Sequence, residues 1–236
     1  MTVAIITGAS RGLGRALAAA LAGRGWDLVL DARDAAALRA AVAGLERGAP
    51  GVRVKGVPGS VTDAAHREAL LAAARALGGV DLLVNNASAL GAEPLVPLAE
   101  LPVEGLRAAL ETNVTAPFAL LRAALPELRA AGGAVLNISS DAAVEAYPTW
   151  GGYGASKAAL DHLSAVLAEE EPGVRVWWVD PGDLRTELYA AAVPDDADFD
   201  DRAAPEDVAP AFLRLLDEHT PSGRYVAQTL TRAGAR

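Results

Sequence analysis

Short apolar runs alternate with longer alanine- and leucine-rich segments along the chain. This is the pattern of a parallel sheet covered by helices on both faces, because strands buried on two sides are apolar at nearly every position. Val3–Ile6 reads as the first strand and residues 12–23 as the helix after it. Further strands are expected at residues 28–30, 52–57 and 80–84, with a helix at 35–46 and another, capped by Asp63, that runs to Leu77. A long helix over residues 104–128 carries Asn113 and leads to a strand at Ala134–Ile138. A helix at 153–169, a strand at 174–179, a loop-rich stretch, a helix at 204–216 and a short strand at 224–226 complete the pattern. With no repeat or linker in view, residues 1–236 are expected to form one domain.

Composition narrows the function classes. The chain is 52% hydrophobic, yet it has no 18-residue run free of charges and turn-formers, so a core is expected and a membrane span is not. A formal charge of −9 disfavours nucleic acid and anionic membranes as partners. Cysteine is absent, which removes thiolate chemistry and cysteine metal sites, and His66, His162 and His219 stand far apart, so no metal is expected. A strand starting at the third residue leaves no room for a signal peptide, and a cytoplasmic protein is expected.

Two motifs carry the chemistry. The first strand runs straight into Thr7-Gly8-Ala9-Ser10-Arg11-Gly12-Leu13-Gly14 and then a helix. Such a turn binds anions: glycines let the backbone approach a pyrophosphate, and the helix N-terminus offers unpaired N–H groups. Far along the chain, Tyr153 and Lys157 sit four residues apart, on one face of a helix. A cation beside a phenol favours the phenolate, so Lys157 is expected to pull the Tyr153 pKa down from about 10 and make it a usable acid and base.

Together with Asn85-Asn86-Ala87, Asn113, Ile138-Ser139-Ser140, Pro181-Gly182 and Thr186, taken in order, these motifs resemble the compact, single-domain branch of the short-chain dehydrogenase/reductase superfamily over essentially the whole chain. The resemblance implies a Rossmann-type, doubly wound, mostly parallel α/β sheet of seven strands and an oxidoreductase that interconverts a ketone or aldehyde and an alcohol. It implies that Tyr153 is the general acid or base, that Ser140 holds the substrate oxygen, and that Asn113 positions a water relaying protons to Lys157. Ser140 is preferred to Ser139 because it stands at the family's usual interval before Tyr153, and neighbours in a strand face opposite ways.

For the cofactor, the resemblance implies that Gly8, Gly12 and Gly14 line the pyrophosphate and that Ser10, Arg11 and Leu13 of the same loop also bind cofactor. Asn86 and Ala87 would lie towards the adenosine side, Tyr153 and Lys157 by the nicotinamide ribose, and Pro181, Gly182 and Thr186 at the carboxamide end. Ser60-Val61 stands where the family often has Asp-Val for adenine, and Ser88 where it often has glycine. Asp31 lies near the position that selects NAD, but the family pattern puts that position at Ala32 with Arg33 next to it. With Arg11 as a second cation, NADP(H) is favoured over NAD(H).

Candidate walls for the substrate are Ala89, Leu90, Ala142, Val144, Tyr147, Trp150, Leu184, Leu188 and Tyr189, which suit a moderately hydrophobic carbonyl or alcohol. Residues 183–204 correspond to the family's substrate loop. The acidic run 195–201 within it reads first as a solvated surface; as a lid it would disfavour anionic substrates. The family also implies a homodimer or homotetramer packed through the long helices. A cofactor-sensing protein of the same fold is the alternative, and a nucleotide-sugar epimerase would need a longer C-terminal region.

Overall fold

In a computed structural model, which describes residues 2–232, the alternation resolves into seven strands and the helices between them. The strands are β1 (Val3–Ile6), β2 (Asp27–Ala32), β3 (Val54–Pro58), β4 (Leu82–Asn85), β5 (Ala134–Ile138), β6 (Arg175–Asp180) and β7 (Gly223–Val226). The helices are α1 (Gly12–Ala22), α2 (Ala35–Gly48), α3 (Ala64–Leu77), α4 (Val103–Leu110), α5 (Ala116–Ala131), α6 (Gly151–Glu170), α7 (Glu187–Ala192), α8 (Pro205–Asp217) and α9 (Ala227–Arg232). Met1 and residues 233–236, part of the expected domain, lie outside the described residues.

The sheet order is β3-β2-β1-β4-β5-β6-β7 and all six pairings are parallel. Strand polarity and side-chain alternation build two cores. Ala4 and Ile6 of β1 face a layer containing Leu17 and Leu21 of α1, Leu38 of α2 and Phe212 of α8. Val3 and Ile5 face the opposite layer, with Leu70 of α3 and Leu120 and Leu128 of α5. The order reverses between β1 and β4, so the chain leaves their C-terminal ends towards opposite faces of the sheet and a crevice forms there.

The helix expected over 104–128 is two helices joined by a π-helical turn, Glu111–Thr115. Pro117 stands in the first turn of α5 and has no N–H to give to the carbonyl four residues back, that of Asn113, so the regular ladder lacks a bond here. A short helix, α7, stands where only loop was expected, and another, α9, follows the last strand. Asp63 does cap α3, accepting from the N–H of Ala65 at 2.9 Å. Among the described residues, no helix is long and apolar enough to cross a membrane.

Candidate active site

The crevice at the topological switch opens into a cavity of about 1080 Å³. One end is the glycine turn. Gly8 and Gly12 have φ of +65° and +53°, a region other residues rarely adopt, and Gly12 lies under Thr186, whose methyl would be 3.4 Å from any added Cβ. At Gly14 an added Cβ would stand 2.4 Å from the Asn86 amide and 2.6 Å from the Gly8 carbonyl. Asn86 itself holds the turn, donating to the carbonyls of Thr7 (2.8 Å) and Gly8 (3.1 Å). No side chain caps α1, so its first-turn N–H groups face the cavity available to an anion.

Asp31, at the end of β2, braces the same turn: its Oδ1 accepts from the Gly8 N–H at 2.6 Å and its main-chain carbonyl from Ala9 at 2.8 Å. Its Oδ2 meets His66 Nε2 of α3 at 3.0 Å. Arg33 lies two residues on, exposed on the cavity wall and without an ion pair among the described residues. Arg11 is also on the wall but is paired with Glu187 of α7. Ser60 and Val61 line this end, with Ser60 Oγ bonded to the Thr62 hydroxyl at 2.8 Å.

The other end is built on β5 and α6. Tyr153 is buried, and the Ser88 and Ser140 side chains beside it favour its phenolate. Ser140 Oγ also donates to Asp141 Oδ1 (3.1 Å) and accepts from the Ala142 N–H (3.2 Å). Ser139 turns the other way, donating to Asp161 Oδ1 at 2.5 Å, and Asp161 is held in turn by Arg224 at 3.1 Å. Lys157 is buried beside the Tyr153 ring, 5.4 Å from its centroid, and donates to the Ile138 carbonyl at 2.8 Å.

Electrostatics correct the sequence expectation for Tyr153. Burial pushes its pKa up and dominates; the nearby Asp180 and Asp141 charges push the same way, and the Ser88 and Ser140 side chains oppose them. The i, i+4 spacing brought the ammonium close but said nothing of desolvation, which dominates here. Lys157 itself is pushed down to about 8 by burial, partly offset by Asp161.

Of the residues named from sequence, Gly8, Ser10, Arg11, Gly12, Leu13, Arg33, Ser60, Val61, Asn86, Ala87, Ser140, Tyr153, Lys157, Pro181, Gly182 and Thr186 line this cavity. Gly14 and Asn113 stand behind it. The Asn113 side chain is spent on structure: it accepts from the Ala89 N–H (2.8 Å) and the Ser88 hydroxyl (3.2 Å), and donates to the Ala89 carbonyl and Ser156 (both 2.8 Å).

Among the proposed substrate walls, Ala142 packs behind the pocket with Leu90 and Tyr153, and Val144 is 61% exposed; neither lines the cavity, and the other seven do. The reason is the single 3-10 turn Asp141–Ala143, which takes this stretch off the strand direction. The acidic run is only partly solvated. Asp195, Asp198, Asp200 and Asp201 are exposed, but Asp196 turns inward onto Arg202 at 3.0 Å. Arg202 also meets Asp183 at 3.2 Å and lies 5.4 Å from the Tyr189 ring, closing the cavity's outer side. Sequence reasoning passed over Asp141, Asp180 and Asp183, which line the substrate end. The Asp before Pro181-Gly182 was the available signal.

The family model described as short chain dehydrogenase matches residues 2–197. The chain belongs to the short-chain dehydrogenase family. Sepiapterin reductase of Xenopus tropicalis is 34% identical over 238 residues, covering 94% of this chain and 85% of that protein. Gluconate 5-dehydrogenase of Gluconobacter oxydans (strain 621H) is 32% identical, with coverage of 94% and 81%. An alcohol dehydrogenase from the archaeon Thermococcus sibiricus, solved with 5-hydroxy-NADP, superimposes with a TM-score of 0.86 at 30% identity over 96% of this chain and 95% of that one. This short-chain dehydrogenase is therefore an oxidoreductase with the family's Rossmann-type, seven-stranded fold.

Proposed function

We propose that this short-chain dehydrogenase, working in the cytoplasm as a single domain, uses NADP(H) to reduce a ketone or aldehyde to an alcohol, or runs the reverse oxidation. One observation carries the reading: Tyr153, Ser140 and Lys157 converge at one end of a cavity whose other end is an uncapped helix N-terminus behind a glycine turn. The residues fit a dinucleotide. Gly8 and Gly12 keep side chains off the turn, the first N–H groups of α1 can take a pyrophosphate, and Arg33 can meet a 2′-phosphate. When bound, the cofactor supplies the hydride.

Tyr153 gives its hydroxyl proton to the substrate oxygen as the carbonyl carbon is reduced, so the C=O becomes CH–OH. Ser140 turns its one hydroxyl hydrogen from Asp141 to that oxygen as negative charge develops. Ser88 adds a second hydroxyl beside the phenol. The phenolate left behind lies next to Lys157, whose depressed pKa suits it to return a proton. With its side chain committed, Asn113 can assist only through the carbonyl that Pro117 leaves without a regular partner, as an acceptor for a relaying water. Asp141, Asp180 and Asp183 on the substrate side disfavour carboxylate substrates and leave neutral, moderately apolar carbonyls. Residues 183–204 act as the substrate loop. Association of two or four copies through the outer faces of α5 and α6 completes the proposal.

The cofactor half is tested by titrating NADPH and NADH into the parent and into Arg33→Asp. The parent should bind NADPH more tightly. The variant should lose roughly ten- to a hundredfold in NADPH affinity and little in NADH affinity, as expected for one charged hydrogen-bond partner. Equal or tighter binding of NADH by the parent would contradict the reading.

A further inference from the structure

An acidic residue at the end of the second strand selects a dinucleotide without a 2′-phosphate by accepting hydrogen bonds from the ribose hydroxyl there. Asp31 stands at that end of β2 and lines the cavity, yet both its oxygens are already engaged. Oδ1 takes the Gly8 N–H at 2.6 Å. Oδ2 takes His66 Nε2 at 3.0 Å, and since an ionised carboxylate only accepts, Nε2 carries the proton. The pair is buried, with Asp31 only 2% exposed and His66 only 7%. The imidazole cannot swing away easily either: it packs flat against Gly59, where an added Cβ would fall 2.3 Å from Nδ1.

We propose that His66 is a positioning residue for cofactor specificity. By bonding the carboxylate oxygen that Gly8 leaves free, it holds Asp31 buried, 2% exposed, as a brace for the glycine turn instead of an acceptor for the ribose. The cavity wall at this point is then left to Arg33, which favours the 2′-phosphorylated cofactor. This rests on the NADP(H) reading of the site. It adds that a residue on α3, off the cavity wall, holds the preference in place.

Removing His66 frees one buried carboxylate oxygen, which is costly to leave without a donor. A ribose hydroxyl entering the cavity is the donor within reach. The test measures equilibrium dissociation constants of NADPH and NADH without substrate, by nicotinamide fluorescence or calorimetry. The proteins are the parent, His66→Leu and His66→Gln, whose side-chain amide can restore the N–H. The ratio of NADH to NADPH dissociation constants should fall about tenfold in His66→Leu, mainly through tighter NADH. His66→Gln should return it to within about threefold of the parent.

An equal weakening of both cofactors in His66→Leu, as loss of packing alone would give, overturns the proposal. So does a His66→Gln ratio that matches His66→Leu. Should His66→Leu not fold, Asp31→Ala decides. A brace gives equal losses for the two cofactors, whereas a selective loss of NADH would mean that Asp31 already serves the ribose and would sink the proposal. The proposed function is judged on the parent's own preference and this inference on how the ratio changes, so the two can fail separately.

Discussion

Lys157 shows how a single residue trades stability for chemistry. Its ammonium is buried with one carbonyl as partner, and its pKa falls from the usual 10.5 to about 8. Below pH 8 both the folded and unfolded chains carry this charge, and the folded state bears the full burial cost, about 3 kcal/mol at 1.4 kcal/mol per unit. Between about pH 8 and 10.5 the unfolded chain holds a proton that the folded one has shed, so this group adds stability as pH rises. The stability advantage of Lys157→Met over the parent in denaturant unfolding should therefore be largest below pH 8 and shrink towards pH 10.5. A pH-independent difference would contradict the buried charge.

The adjacent serines give a second residue-scale test. Ser140→Ala should lower turnover roughly 10²-fold, because it removes a bond that strengthens with developing charge. Ser139→Ala should stay within a few-fold in turnover and lose about 1 kcal/mol of stability through its bond to Asp161. The opposite pattern would mean that the reacting oxygen sits elsewhere. The different directions of these two hydroxyls were legible from alternation, although both residues line the cavity. The rise of the Tyr153 pKa was not, because spacing reports proximity and not burial. Nor was the Asp31–His66 contact, which joins residues 35 apart on different elements.

At the scale of elements, apolar runs located the strands because β1, β2, β4 and β5 are buried at every position, while the edge strands β3 and β7 are only partly covered. Periodicity failed where helices change register. Residues 104–128 look continuous in sequence, and Pro117 was the only sign that the helix unwinds at Asn113. The six-residue helices α7 and α9 are too short for periodicity to register. The outer faces of α5 and α6 keep Phe118, Leu163 and Val166 exposed at 47%, 38% and 40%. If these helices join the copies, light scattering should give the parent a dimer or tetramer mass and Phe118→Glu a smaller species. A parent that runs as a 24.1 kDa monomer would remove the proposed assembly.

For the whole molecule, the strand order matters most, since its reversal between β1 and β4 brings the glycine turn of the first strand to the same cavity as the β5–α6 pair. The α/β class and the seven strands followed from patterning, and the doubly wound arrangement was implied by resemblance; the strand order was read only from the structure. The carboxylates around the substrate end became visible only once the loops after β5 and β6 were placed together. The central claim is that this cavity transfers hydride to a carbonyl with Tyr153 supplying the proton. It is tested most directly by following NADPH absorbance with a panel of neutral ketones and aldehydes, for the parent and for Tyr153→Phe. The parent should turn over at least one of them, and Tyr153→Phe should lose at least about 10²-fold in kcat with NADPH affinity little changed. Near-parental turnover by Tyr153→Phe would contradict the account.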